Sequence, residues 1–251
     1  MGKIVAIGGG EIGRPGTRVE TRKIDQEIVR LTGKKHPRLL FIPTASSDAE
    51  GYIQTVRKYF GQRLGCKIDT LLLVKKKPSP VNINRKVLGA DIIYVGGGDT
   101  LKMLKIWRKT GLDKVLKQAY QKGAVLSGIS AGAVCWFRYA NSDSRTFQKS
   151  KAKFSYMRLV GLDFVSLIMS PHHIREKSRK EGLIAIMKKT PGIGIALDDY
   201  AALEIVDNSF RIITSKPFAK VHKVYFQGNR LIYREVKQEK TWLPLSILTE
   251  R

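Results

Sequence analysis

Short apolar runs recur along the chain at residues 4–7, 39–43, 68–74, 92–95, 124–126, 165–169 and 194–197, each about the length of one buried strand. Between many of them lie stretches with apolar residues three and four apart, at 24–31, 52–64, 100–107 and 175–187, as in helices that bury one face. Alternation of this kind predicts an α/β fold: a doubly wound, mostly parallel sheet with helices on both faces. From residue 202 the pattern changes. Segments 203–206, 210–214, 221–226 and 230–236 read as short strands, with Gln227-Gly228-Asn229 as a hairpin turn, and predict a C-terminal antiparallel appendage. No linker-like stretch, internal repeat or low-complexity segment breaks the sequence, so residues 1–251 are read as a single domain.

Composition narrows the class. The chain has 251 residues, 43% of them hydrophobic, enough to bury a large core. It lacks an apolar run of about 18 residues, so no membrane partner is expected. Its first residues read as a core strand and not as a secretory signal, which predicts a cytoplasmic protein. Cys66 and Cys135 are expected as reduced thiols, too few for a cysteine-rich zinc site. Lysine and arginine number 46 against 21 acidic residues, a formal charge of +25. That excess raises the question of nucleic acid, because phosphate neutralisation releases counterions. The cations are scattered in small groups, at 75–77, 149–153 and 188–189, without any recognition module. A solvated basic surface is therefore expected, with no specific nucleic-acid partner and a field that favours an acidic substrate.

Candidate chemistry centres on Gly128-Ile129-Ser130-Ala131-Gly132, which follows an apolar run and precedes a helical pattern. A G-x-S-x-G turn between strand and helix lifts the serine hydroxyl out of the sheet. A nucleophilic serine needs a base, and the chain has four histidines. His36 and His222 read as surface residues. His172 and His173 follow the apolar run 165–169, at the strand end where ligands bind in open α/β folds. Two glycine-rich loops accompany the motif. Gly8-Gly9-Gly10-Glu11-Ile12-Gly13 has dinucleotide spacing, but Arg14-Pro15-Gly16 interrupts the helix that such a site requires. Gly96-Gly97-Gly98-Asp99 follows a strand and offers backbone amides suited to an oxyanion hole.

Taken together and in order, Gly8-Gly9-Gly10-Glu11, Pro43-Thr44-Ala45-Ser46, Gly96-Gly97-Gly98-Asp99, Gly128 to Ala133, Pro171-His172 and Gly194 to Asp199 resemble the peptidase E family of serine peptidases, whose relatives include cyanophycinase. The resemblance implies a fold related to class I glutamine amidotransferases, with serine in place of their nucleophilic cysteine. It implies Ser130 as nucleophile, His172 as base, His173 as a neighbour of the base, and the amides of Gly98 and Ala131 as the oxyanion hole. For the third member it points first to Asp143, in the loop Asn141-Ser142-Asp143, and alternatively to Asp199. Asp99, Arg175 and Arg179 are the substrate-binding candidates, the arginines because a guanidinium clamps a carboxylate bidentately.

The expected activity is that of a serine exopeptidase acting on small peptides, dipeptides with an N-terminal aspartate foremost, through a Ser-His-Asp triad and an acyl-enzyme. No metal or cofactor is called for. A homodimer is compatible with this reading. The alternatives are a cyanophycinase-like hydrolase and a non-catalytic basic protein, binding nucleic acid, on the same scaffold.

Overall fold

Period-two alternation along the strands decides the layout, because successive side chains point to opposite faces of a sheet. The computed structural model describes residues 2–147, 155–239 and 241–251, so the basic group at 149–153 lies outside the described residues. In chain order the elements are β1 (Lys3–Ile7), α1 (Arg22–Arg30), β2 (Arg38–Ile42), α2 (Glu50–Val56), β3 (Lys67–Thr70), α3 (Pro80–Leu88), β4 (Ile92–Val95), α4 (Thr100–Thr110), α5 (Leu112–Gln121), β5 (Val125–Ile129) and α6 (Ala131–Val134). There follow β6 (Phe137–Ser142), β7 (Met157–Val160), β8 (Val165–Ser170), α7 (Lys177–Lys189), β9 (Ile193–Leu197), β10 (Ala201–Val206), β11 (Ser209–Thr214), β12 (Val221–Gln227), β13 (Arg230–Glu235), β14 (Leu243–Pro244) and α8 (Ser246–Thr249).

The fold is α/β, with two sheets that are parallel at their centres. The first has the order β14-β11-β10-β1-β5-β4-β2-β3, and the second β13-β12-β9-β8-β6-β7. In the first, β1, β5, β4, β2 and β3 run parallel, and in the second β6, β8 and β9 do. The later strands cannot join the first sheet beside β5, because β1 and β4 already occupy both its edges. The C-terminal strands are also divided, where a single appendage was expected. β10, β11 and β14 extend the first sheet antiparallel, while β12 and β13 extend the second.

Val5, Ile7, Leu39, Phe41 and Tyr94 pack against Ile24 and Ile28 of α1 and Ile53 and Val56 of α2. Their neighbours Ile4, Ala6, Leu40, Ile93 and Val95 face the other way, toward Met103, Leu104 and Trp107 of α4. That second core continues into Phe137, Ile168 and Ile195, so it joins the two sheets. Two sequence expectations are corrected locally. The helix expected over 52–64 ends at Val56 and continues as a π-helical run, Arg57–Arg63, that buries Tyr59 and Phe60. The strand expected over 68–74 ends at Thr70, because the Asp48 carboxylate captures the backbone N–H groups of Val74 and Lys75 at 2.7 and 2.9 Å.

Parallel pairing brings the carboxyl ends of β1, β2, β4 and β5 to one edge, where Gly8, Pro43, Gly96 and Ser130 follow them. In open α/β sheets this is the edge where ligands bind.

Candidate active site

Ser130 sits on a strained turn. Its φ of 55° and ψ of −114° are rarely tolerated by a residue with a Cβ, and they persist because the surroundings over-determine them. The Ser130 N–H donates to the Ile7 carbonyl at the tip of β1 (3.0 Å), and α6 starts at the next residue. The flanking glycines are steric requirements: a Cβ on Gly128 would overlap the Gly132 carbonyl, and one on Gly132 would overlap the Val95 carbonyl. Ala131 opens α6, so its N–H has no acceptor one helical turn back.

Two side chains complete a chain of hydrogen bonds from Ser130. The Ser130 hydroxyl donates to His172 Nε2 at 2.8 Å, and His172 Nδ1–H donates to Asp199 Oδ1 at 2.5 Å. His172 follows β8 with φ 51°, and Asp199 follows β9. The adjacent strand ends are tied together by the His173 N–H on the Leu197 carbonyl (3.1 Å). Asp199 is buried, which opposes ionisation. The hydrogen bond from His172 and the Arg175 guanidinium, 3.1 Å from Oδ2, still hold its carboxyl below the usual range.

Asp143, ranked first as the acid from sequence, is placed elsewhere. Its carboxylate faces the buried Arg179 at 3.4 Å, while both ring nitrogens of His172 are occupied by Ser130 and Asp199. Arg179 is likewise withdrawn from any substrate. Its guanidinium is buried, pairs with Glu176 at 2.5 Å, donates to the Asn141 carbonyl and lies over the Tyr156 ring. Arg175 precedes α7 whereas Arg179 lies in its first turn, so the two arginines do not act together. Asp99 lines the cleft but caps α4, accepting from the Lys102 N–H at 3.1 Å. His173 is buried against the Tyr233 hydroxyl, and burial pushes its imidazole down to about 4. His222 is half-buried beside the same tyrosine, ring centroids 4.6 Å apart, where a surface position was expected. His36 is exposed, as read from sequence.

Ser130 and His172 open on a cleft of about 690 Å³ shared by Gly97, Gly98, Tyr52 and Arg175. An ideal Cβ on Gly97 would stand 3.5 Å from the Ser130 Cβ, so this loop borders the hydroxyl closely. The Tyr52 ring packs on Gly96, and burial pushes its phenol up to about 12, which keeps it a neutral group in the cleft. A residue that sequence reasoning passed over is Gly9. A Cβ there would overlap both His172 Nδ1 and Asp199 Oδ1, so the glycine makes room for the pair. The signal was present in the loop but carried a dinucleotide spacing; no helix begins there before Arg22. Both cysteines are buried with thiols pushed up, Cys66 to about 12, and so are poor nucleophiles. Among the described residues no cluster of His, Cys, Asp and Glu is arranged to hold a metal, and no helix is long and apolar enough to cross a membrane.

Known proteins share this arrangement of the chain. An uncharacterized peptidase of Bacillus subtilis (strain 168), YgaJ, is 35% identical over 226 residues, 89% of this chain and 92% of that protein. Peptidase E of a Nostoc species is 25% identical over 203 residues, 76% of this chain and 78% of that one. The crystal structure of a peptidase from an acI-B1 Actinobacterium matches with a TM-score of 0.72 at 20% identity, covering 97% of both chains. A putative peptidase E protein from Listeria monocytogenes EGD-e matches at 0.59 with 18% identity, covering 94% of this chain and all of that one; at such identities the likeness concerns the fold. The family model of peptidase family S51 matches residues 4–213, a span that includes every glycine loop, Ser130, His172 and Asp199, and the chain belongs to that family.

Proposed function

We propose that the protein is a serine-type exopeptidase that hydrolyses small peptides, dipeptides with an N-terminal aspartate foremost, using Ser130, His172 and Asp199. One observation carries the reading: a single imidazole, His172, is hydrogen-bonded through one nitrogen to the hydroxyl of a strained elbow serine and through the other to a buried, ionised carboxylate. In that arrangement His172 Nε2 takes the Ser130 proton as Oγ attacks the scissile carbonyl carbon. The imidazolium then protonates the leaving amine, and a water deprotonated by the same nitrogen releases the acyl group. Asp199 holds the tautomer and stabilises the imidazolium. Gly98 and Ala131 are the proposed amide donors to the oxyanion, since Gly98 lines the same cleft as Ser130 and Ala131 opens α6 directly after it.

Charge in the cleft supports an exopeptidase. Asp143 and Glu176, both on the cleft wall, pair with the guanidinium of Arg179 among the described residues. A free α-ammonium complements these carboxylates. A fluorophosphonate probe should label the protein at Ser130, and both Ser130→Ala and His172→Ala should lower Asp-Leu turnover by about 10⁴-fold or more. Labelling elsewhere, or turnover that survives Ser130→Ala, would overturn the assignment.

A further inference from the structure

We propose that Lys102 is the residue that selects an acidic side chain in the substrate; this rests on the peptidase reading above. Three cations, Arg14, Lys102 and Arg175, line the cleft among the described residues. Two of them are already committed to carboxylates. Arg14 gives its Nε and a terminal nitrogen to Glu11, and Arg175 gives a terminal nitrogen to Asp199 Oδ2. Lys102 differs: its ammonium rests on the neutral Ser47 hydroxyl at 2.7 Å and forms no ion pair among the described residues. A paired cation offers an incoming anion little net field, because its partner's charge cancels it at short range. An unpaired ammonium keeps its attraction.

Position adds to the argument. Lys102 is the third residue of α4, whose first turn follows directly on the Gly97-Gly98 loop that borders Ser130. A cation in the first turn of a helix opposes the helix dipole, so the local electrostatics disfavour a lysine there. The same local cost is what makes the site attractive to an anion, since the ammonium and the helix end act with the same sign. Asp99 moderates this, but its carboxylate is turned onto the Lys102 backbone N–H. Ser47, at φ 59° on the neighbouring turn, holds the ammonium in place while leaving it two further donors. An ammonium is a point charge without a fixed fork, so the selection it makes is for charge and not for bidentate geometry.

The test compares kcat/KM for Asp-Leu and Asn-Leu, substrates of nearly equal size that differ by one charge. In Lys102→Met the ratio should fall by about ten- to a hundredfold, the range for a hydrogen bond to a charged group. Lys102→Arg should restore most of it, and Arg14→Gln should leave it in place. A ratio unmoved by Lys102→Met overturns the proposal. Binding of the two dipeptides to the Ser130→Ala protein, with and without Lys102→Met, separates the two levels of inference. Preferential Asp-Leu binding that depends on Lys102, together with hydrolysis of neither peptide by the unsubstituted protein, would uphold the charge selection while the peptidase reading failed. Hydrolysis with equal binding and turnover of both peptides would do the reverse.

Discussion

Two loops of three consecutive glycines flank Ser130, one at the tip of β1 and one at the tip of β4, and β5 with its elbow runs between those strands. Their composition is the same and their work is different. In Gly8-Gly9-Gly10, Gly9 keeps a side chain away from the His172–Asp199 pair, Gly8 lies against the Leu197 and Asp198 carbonyls, and the Gly9 carbonyl accepts from the Tyr200 N–H just beyond Asp199 (2.9 Å). Gly96-Gly97-Gly98 keeps them away from the tyrosine, the backbone and the serine around it: Gly96 lies under Tyr52, Gly97 borders Ser130, and a Cβ on Gly98 would overlap the Ala45 carbonyl. The first loop thus makes room for the His172–Asp199 pair, the second forms the wall and floor of the cleft. What separates them is which strands meet each tip: β9 ends and β10 begins near the tip of β1, and β2 ends near the tip of β4.

The largest effect that sharpens this comparison concerns the acid that the first loop shelters. Asp199→Asn should lower turnover by about 10⁴-fold, as expected when the imidazole loses its tautomer partner. Asp143→Asn, which leaves the His172 contacts intact, should cost far less than that in kcat and act mainly on KM. Comparable losses in kcat would return the acid role to Asp143.

A smaller effect distinguishes the loops themselves. Gly9 has no left-handed backbone requirement, and the atoms nearest to an added methyl group in Gly9→Ala are those of the His172 and Asp199 side chains. Displacing a catalytic group by about 1 Å costs on the order of 10²-fold in rate. Gly9→Ala should therefore lose activity with its melting temperature little changed. Gly98 combines φ 137° with the Ala45 backbone carbonyl, which cannot move as a side chain can. Gly98→Ala should cost more than about 1 kcal/mol of stability as well as activity. Equal melting temperatures for the two variants, measured by thermal denaturation, would remove the distinction.

The smallest effect lies just behind the first loop, at His173. Its imidazole is pushed down to about 4 by burial and by the neighbouring cations, against an unfolded value of 6.5. The unfolded chain then binds more protons between those two values, so stability is complete above about 6.5 and falls as pH drops toward 4, by up to about 1.4 kcal/mol per pH unit for this group. His173→Ala should leave most of the activity, lower stability at neutral pH through loss of the Tyr233 hydrogen bond, and flatten that part of the pH dependence. Urea unfolding of both proteins at pH 4.5, 5.5 and 7 checks it, and parallel curves would show that the group does not titrate on unfolding.

Residues 124–132 were legible without a fold. An apolar strand, a Gly-x-Ser-x-Gly turn and a helical start are all local properties, and the structure repeats them at β5, Ser130 and α6. The period of the hydrophobic pattern likewise determined the α/β class and the approximate position of most strands. It could not say that the strands would be shared between two sheets, because pairing depends on which edges of β5 were already filled. Nor did it order the two carboxylates as the structure places them: Asp143, 13 residues beyond Ser130, came first and Asp199, 69 residues beyond, came second. Arg179 draws the half-buried Asp143 carboxylate into an ion pair, and the register of β8 on β9 sets Asp199 against His172. The elements and the elbow at Ser130 could thus be read from the sequence, because they rest on neighbours in the chain. Only the tertiary structure decided the acid, the role of Gly9 and the charge balance of the cleft, because each is a contact between residues whose separation along the chain carries no information about their distance in space.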